Sequence, residues 1–142
     1  MALVLSDIGA DAFLEAYFND TWPAGGINLT LKLFVTDVTP TQDSVVGDFT
    51  EAVGGGYAAK TLTNGSWTVT PGNDPSDALY AAQDFVFTGP LTTNTDIYGY
   101  YVVDDDDVLV WAEKRASTYT PANNGDTLRI TPAFELSSGT PS

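Results

Sequence analysis

The chain contains no cysteine and no histidine. Disulfide frameworks, thiolate zinc sites, cysteine nucleophiles and every mechanism that needs an imidazole base are therefore excluded. Basic residues are scarce: five Lys and Arg stand against 19 Asp and Glu, a formal net charge of −14. So few cations do not make a basic face for nucleic acid, and a polyanion is repelled. Glutamate occurs only at Glu15, Glu51, Glu113 and Glu135. A glycosidase needs an acid and a base held at a defined separation in one cleft, and neither Glu15, on the expected helix, nor Glu135, near the C-terminus, pairs obviously with anything. No apolar run approaches the ~18 residues of a membrane span. The start, Met1-Ala2-Leu3-Val4-Leu5, lacks the basic region of a secretory leader and soon meets Asp7 and Asp11. These absences predict a soluble, non-enzymatic chain made in the cytosol, with neither a membrane nor a nucleic-acid partner.

What is present supports one folded core. The 142 residues are 43% hydrophobic and 12% aromatic, too apolar for wholesale disorder. The charge of −14 reads as solubility and resistance to self-association, or as docking on a basic partner surface.

One helix is predicted near the N-terminus. Ser6 is placed to cap it, and Asp7 suits the positive end of the helix dipole. Ala10, Phe13, Leu14, Tyr17 and Phe18 share one apolar face by the i, i+3, i+4, i+7 spacing. That face either covers one end of a β core or docks on a neighbouring subunit. Asn19-Asp20, Pro23 and Gly25-Gly26 end the helix.

From residue 28 the period changes to two. Leu29, Leu31, Leu33 and Val35 alternate with Thr30, Lys32 and Phe34, so Phe34 falls on the nominally outer face. Residues 36–48 form a long loop rich in Thr, Asp, Pro and Ser. Gly54-Gly55-Gly56 lacks the Lys-Ser/Thr of a phosphate loop and reads as a bulge or tight crossing. Strands are expected over 57–63 and 67–70, joined as a hairpin by Asn64-Gly65. Residues 71–77 read as turn. Further strands are expected over 80–88, with Phe85 and Phe87 on one side, and over 97–103 and 108–113 around Asp104-Asp105-Asp106-Asp107. A last strand carries Leu128, Ile130, Phe134 and Leu136, with Pro132 pointing to an edge or bulge.

The pattern predicts an all-β fold, an antiparallel β-sandwich or jelly roll with one short N-terminal helix. Residues 1–27 make the helix and arm, 28–136 the β-sandwich domain, and 137–142 a small polar tail.

Two features invite chemistry. The run Asp104–Asp107 is acidic enough for calcium, but that ion needs six to eight converging oxygens and the EF-hand spacing is absent. A solvated, mutually repelling turn is the favoured reading, and no cofactor is predicted. Trp22, Trp67 and Trp111 with Tyr98, Tyr100 and Tyr101 suggest a carbohydrate-stacking platform, although strand aromatics usually fill a core.

A set of blocks then carries a resemblance. Leu31-Lys32-Leu33-Phe34-Val35-Thr36-Asp37-Val38-Thr39-Pro40 precedes Phe49-Thr50-Glu51-Ala52 and Gly54-Gly55-Gly56-Tyr57-Ala58-Ala59-Lys60-Thr61-Leu62. Phe85-Val86-Phe87-Thr88-Gly89-Pro90, Ile97-Tyr98-Gly99-Tyr100-Tyr101-Val102-Val103 and Leu109-Val110-Trp111-Ala112-Glu113 follow, then Asn123-Asn124-Gly125-Asp126 and Ile130-Thr131-Pro132. This order resembles small structural proteins of tailed bacteriophages across residues 28–136. The resemblance implies a virion protein and brings no catalytic or ligand residues. Within that class it implies a capsid cement (decoration) protein on the capsid exterior, commonly a homotrimer, whose partner is the major capsid protein. A tail-fibre or receptor-binding module and a carbohydrate-binding β-sandwich are the alternatives, and the absence of a shaft repeat favours cement. Candidate partner contacts are Phe13, Tyr17, Phe18 and Trp22 on the N-terminal segment, with Phe34, Val38, Val45 and Val46 on and after the first strand.

Overall fold

The computed structural model describes residues 7–19, 26–71, 75–92 and 94–136. Among these, one helix, α1 (Asp7–Phe18), precedes nine strands: β1 (Leu29–Phe34), β2 (Lys60–Leu62), β3 (Thr68–Val69), β4 (Ser76–Leu79), β5 (Gln83–Val86), β6 (Ile97–Val103), β7 (Leu109–Tyr119), β8 (Thr127–Ile130) and β9 (Ala133–Leu136). The protein is mostly β, and every strand pairing is antiparallel. No described helix is long and apolar enough to cross a membrane.

The strands form three sheets, ordered β2-β1-β6-β7, β3-β4-β9 and β5-β8. The chain divides into two compact units. One is built from α1, β3, β4 and β9, the other from Asn28–Leu62 and Gln83–Ile130.

In the first unit, α1 buries Ala10, Leu14 and Phe18, spaced at i, i+4 and i+8, so one narrow stripe faces the sheet. Phe13 is turned away and is 57% exposed, which removes it from the expected apolar face. Phe18 packs on Trp67 and Phe134, with ring centroids 4.4 and 5.6 Å away. The Asn64-Gly65 turn serves the helix rather than a hairpin. Gly65 N–H donates to the Phe18 carbonyl (2.9 Å), and the Asn64 amide reaches the Tyr17 carbonyl (3.4 Å). These are carbonyls that the helix end leaves without an internal partner. The expected hairpin across Asn64-Gly65 is therefore corrected: β2 pairs with β1, and β3 pairs with β4. Ser76 and Asp77, read as turn, open strand β4, which is held between β3 and β9. Ser6, the expected helix cap, lies outside the described residues, as does the tail from Ser137.

In the second unit, β1 is central. Leu29, Leu31 and Leu33 are buried on one face, and Phe34 is buried on the other. Beyond the end of β2, residues 50–52 continue the pairing: Val35 N–H donates to Thr50 O and Ala52 N–H to Leu33 O, both at 2.9 Å. The glycine triplet is a tight crossing against residues 88–92. A Cβ on Gly55, whose φ is +57°, would lie 2.5 Å from the Gly89 carbonyl oxygen. Phe85 and Phe87 are buried on either side of exposed Val86, as alternation required. The expected single last strand is corrected to two. β8 pairs with β5 and β9 with β4, and the switch falls at Thr131-Pro132. Proline has no N–H to continue the first ladder.

Candidate interaction surface

The outer face of the four-stranded sheet is set by register. Phe34 lies opposite Gly99, Lys32 opposite Tyr101, and Thr30 opposite Val103. This face is covered by the 36–49 loop. Phe34, Phe49, Tyr101 and Val103 form a buried cluster, and Val38, Val46, Tyr98, Leu109 and Ala112 pack around it. Phe49 stacks on Tyr101 at 5.3 Å and meets Phe34 at 5.0 Å. The loop is pinned from within. Thr50 N–H donates to Thr36 Oγ1 (2.8 Å), Thr41 N–H to Ser44 Oγ (2.9 Å) and Val45 N–H to Asp48 Oδ2 (2.9 Å). A short 3-10 turn over Val46–Asp48 turns Val46 inward and leaves Val45 outside.

The Asp104–Asp107 turn joins β6 to β7. Asp104 Oδ1 accepts from the N–H groups of Asp106 and Val108, at 3.0 and 2.9 Å. Asp107 takes the left-handed conformation (φ 60°), which aspartate tolerates better than most residues. Its carboxylate meets Lys32 Nζ at 3.1 Å, and Glu51 lies 3.6 Å from the same ammonium. Burial pulls the Lys32 pKa down, but its bond to Asp107 and the charges of Glu51 and Asp107 outweigh this and raise it. Asp104 and Asp107 are thus turned to different tasks, one holding the turn and the other meeting Lys32. Among the described residues, no group of three or more Asp and Glu could hold a metal ion.

Behind Lys32, the Tyr57 hydroxyl donates to Glu51 Oε1 (3.0 Å) and accepts from Leu33 N–H (3.1 Å). Burial raises the Tyr57 pKa strongly, so the phenol stays protonated and keeps its donor role. Glu113 accepts from Tyr100 OH at 2.6 Å, and burial likewise raises that phenol's pKa. A hollow of about 290 Å³ contains Asp37, Asn94 and Asp96, each of which is used within the chain. Asp37 binds Lys114 at 2.5 Å, the Asn94 amide reaches Val35 O, and Asp96 accepts from the Thr120 hydroxyl.

The open surface lies where the pinned loop meets the hairpin tip. One groove of about 270 Å³ runs between Val45-Val46 and Val108-Leu109. Another, of about 420 Å³, continues between residues 40–44 and 109–112. The grooves adjoin at Ser44 and Leu109, and together they make up a trough of two parts. Val45 and Val108, at 59% and 56% exposed, stand at its mouth. β7, which ends the sheet, forms its wall.

The structure distributes the eight candidate contacts unevenly. Phe34, Val38 and Val46 are drawn together, but Phe34 is fully buried and Val38 and Val46 are partly buried on its cluster. Val45 alone of that group is exposed. Phe18 is buried in its own unit, Tyr17 is half-buried against it at 5.1 Å, and Phe13 is exposed. Trp22 lies outside the described residues. The aromatic platform is not assembled on β6: Tyr100 and Tyr101 are adjacent in the strand, face opposite sides and are both buried. Sequence reading missed Val108 and the length of β7, because the run Lys114–Ser117 disguised a strand whose β-branched and aromatic residues return only at Thr118-Tyr119.

Comparisons with protein families, with curated proteins and with solved structures found no match.

Proposed function

We propose that this chain is a non-enzymatic structural protein of a tailed-phage virion, a capsid cement protein that binds across major capsid protein subunits on the head exterior. The observation that carries this reading is the groove between Val45-Val46 and Val108-Leu109, an apolar opening on a chain whose net charge is −14. Such an opening offers adhesion, and the surrounding charge keeps a high-copy module soluble until it meets its partner. The order of sequence blocks from Leu31 to Pro132 supports the virion assignment. In this reading the fold is an antiparallel β-sandwich or jelly roll, and the functional unit is a homotrimer. Standard interfaces of about 1,600 Å², repeated over a shell, then offset internal pressure across capsomer joints.

Densitometry of purified virions tests the assignment. Cement predicts hundreds of copies per particle, whereas a handful would point to a tail-fibre module and overturn it. Deleting the gene should lower the heat and osmotic stability of the particle, and unchanged particles would contradict the role.

A further inference from the structure

We infer that the outer edge of β7 is a docking strip for an extended, basic segment of a partner chain, added as an antiparallel or parallel neighbour of residues 109–114. This deepens the cement reading and rests on it for the identity of the partner chain.

Hydrogen-bonding capacity is the first ground. β7 pairs with β6 on one side and ends the sheet order β2-β1-β6-β7. Alternate N–H and C=O groups of an end strand point away from its neighbour and offer main-chain partners to an added strand. The register restricts where this is feasible. Trp111, Ala112, Glu113 and Lys114 pair residue by residue with β6, and irregularities interrupt the ladder at both ends. The regular part of the edge is therefore short, the four residues Trp111–Lys114 at roughly 3.3 Å each, with an irregular approach at Leu109-Val110.

Shape is the second ground. The trough's β7 wall runs from Val108 to Ala112, facing Pro40 to Val46, and meets the regular ladder at Trp111 and Ala112. An added strand would lie with its backbone on β7 and its alternate side chains over Val45 and Val108. The opposite wall is held by the Thr41–Ser44 and Val45–Asp48 hydrogen bonds, so the slot is preformed.

Charge selects the occupant. Asp43 on the loop and Asp105, Asp106 and Asp107 at the tip are all exposed beside the trough's mouth. Lys32 is already committed to Asp107 and Glu51, and Lys114 to Asp37. A second copy of this chain would bring its own carboxylates, with −14 on each molecule, to the same place. Acidic flanks thus guard the edge against self-pairing while attracting a strand with Lys or Arg at the end that meets the hairpin tip.

The test uses the full chain, uniformly labelled with 15N, and a synthetic peptide of alternating valine and threonine led by lysines. Binding should shift and protect amides along 109–114 and weaken with salt. A peptide N-methylated at alternate residues keeps its side chains and charge but cannot complete the ladder, and it should bind about tenfold more weakly or worse. A peptide led by glutamates should lose a comparable factor. Val45→Asp with Val108→Asp changes only exposed residues, so a folded variant is expected, and it should lose the apolar contribution. Equal binding of the N-methylated peptide, shifts confined to 104–107, or no binding by any peptide would overturn the inference. Self-association that protects the same amides would overturn it in favour of a second copy. Abundant chain in virions with no edge binding would sink the docking strip alone. Edge binding by a chain absent from particles would sink the cement reading alone.

Discussion

The Phe34 ring lies across Gly99, its register partner on the neighbouring strand. A Cβ built on Gly99 would stand 2.6 Å from both Cε1 and Cζ of that ring, and closer still to the Glu113 carbonyl oxygen. The glycine is what lets a fully buried phenylalanine lie flat over β6 and meet Phe49. It also lets the 36–49 loop close over the sheet, and with it one wall of the trough.

Gly99→Ala should therefore destabilise the protein although its backbone needs no left-handed conformation. Overpacking of this kind costs about 1–3 kcal/mol. Urea unfolding should show a lowered midpoint with an unchanged slope. A variant as stable as the parent would mean that the ring is not seated there.

Tyr57→Phe removes one hydroxyl that serves both Leu33 N–H and Glu51. Leaving a buried donor unsatisfied costs about 1–3 kcal/mol. Exchange of the Leu33 amide should accelerate selectively, because β2 does not extend to cover that position. An unaltered exchange rate would place the bond elsewhere.

Acid should weaken the β5–β8 region. The N–H groups of Ala122 and Asn123 hold the Asp126 pKa below its ordinary value, and the bond from Arg129 does the same for Asp84. A depressed folded pKa contributes stability that is present above the unfolded value of about 3.9 and is lost as pH falls through the folded value. Global self-repulsion also changes with pH, so the informative quantity is the Tm difference between the parent and Asp126→Asn. That difference should be constant near neutral pH, shrink below about pH 4 and close once the folded pKa is passed. A gap that persisted through the most acidic point would show that ionisation of Asp126 is not its cause.

Val45→Asp with Val108→Asp should leave Tm within about 1–2 °C of the parent, because surface changes away from buried features usually have small effects. Virions assembled with this variant should carry fewer copies and lose heat stability. Full occupancy would move the adhesive surface away from the trough.

Several elements were legible before any tertiary contact was known. The alternation of Leu29, Leu31 and Leu33 located β1, and Phe85 with Phe87 revealed the buried face of β5 and its extension. The Asp104–Asp107 turn marked the β6–β7 hairpin. Other elements misled. Asn64-Gly65 has the chemistry of a hairpin turn, yet its N–H groups face the end of α1. Pro75-Ser76-Asp77 looks like a turn, yet β3 and β9 hold the stretch from Ser76 as a strand. In both cases long-range partners outweighed local preference.

Of the candidate surface, Val45 and Val46 were singled out from sequence and Val108 was not. Phe34 was placed on an outer face and read as a partner contact, because nothing in a strand's period reveals that a distant loop of the same chain will cover it.

The sequence by itself determined the absence of imidazole and thiol chemistry, the strong negative charge and the β character. These follow from composition and from a side-chain period of two, which are properties of single residues and near neighbours. Tertiary structure alone decided which strands meet, which aromatics are spent inside, and that β7 ends its sheet beside an apolar trough. Those outcomes depend on pairing between residues far apart in the chain, where hydrogen bonding and burial are shared among segments that no local window contains.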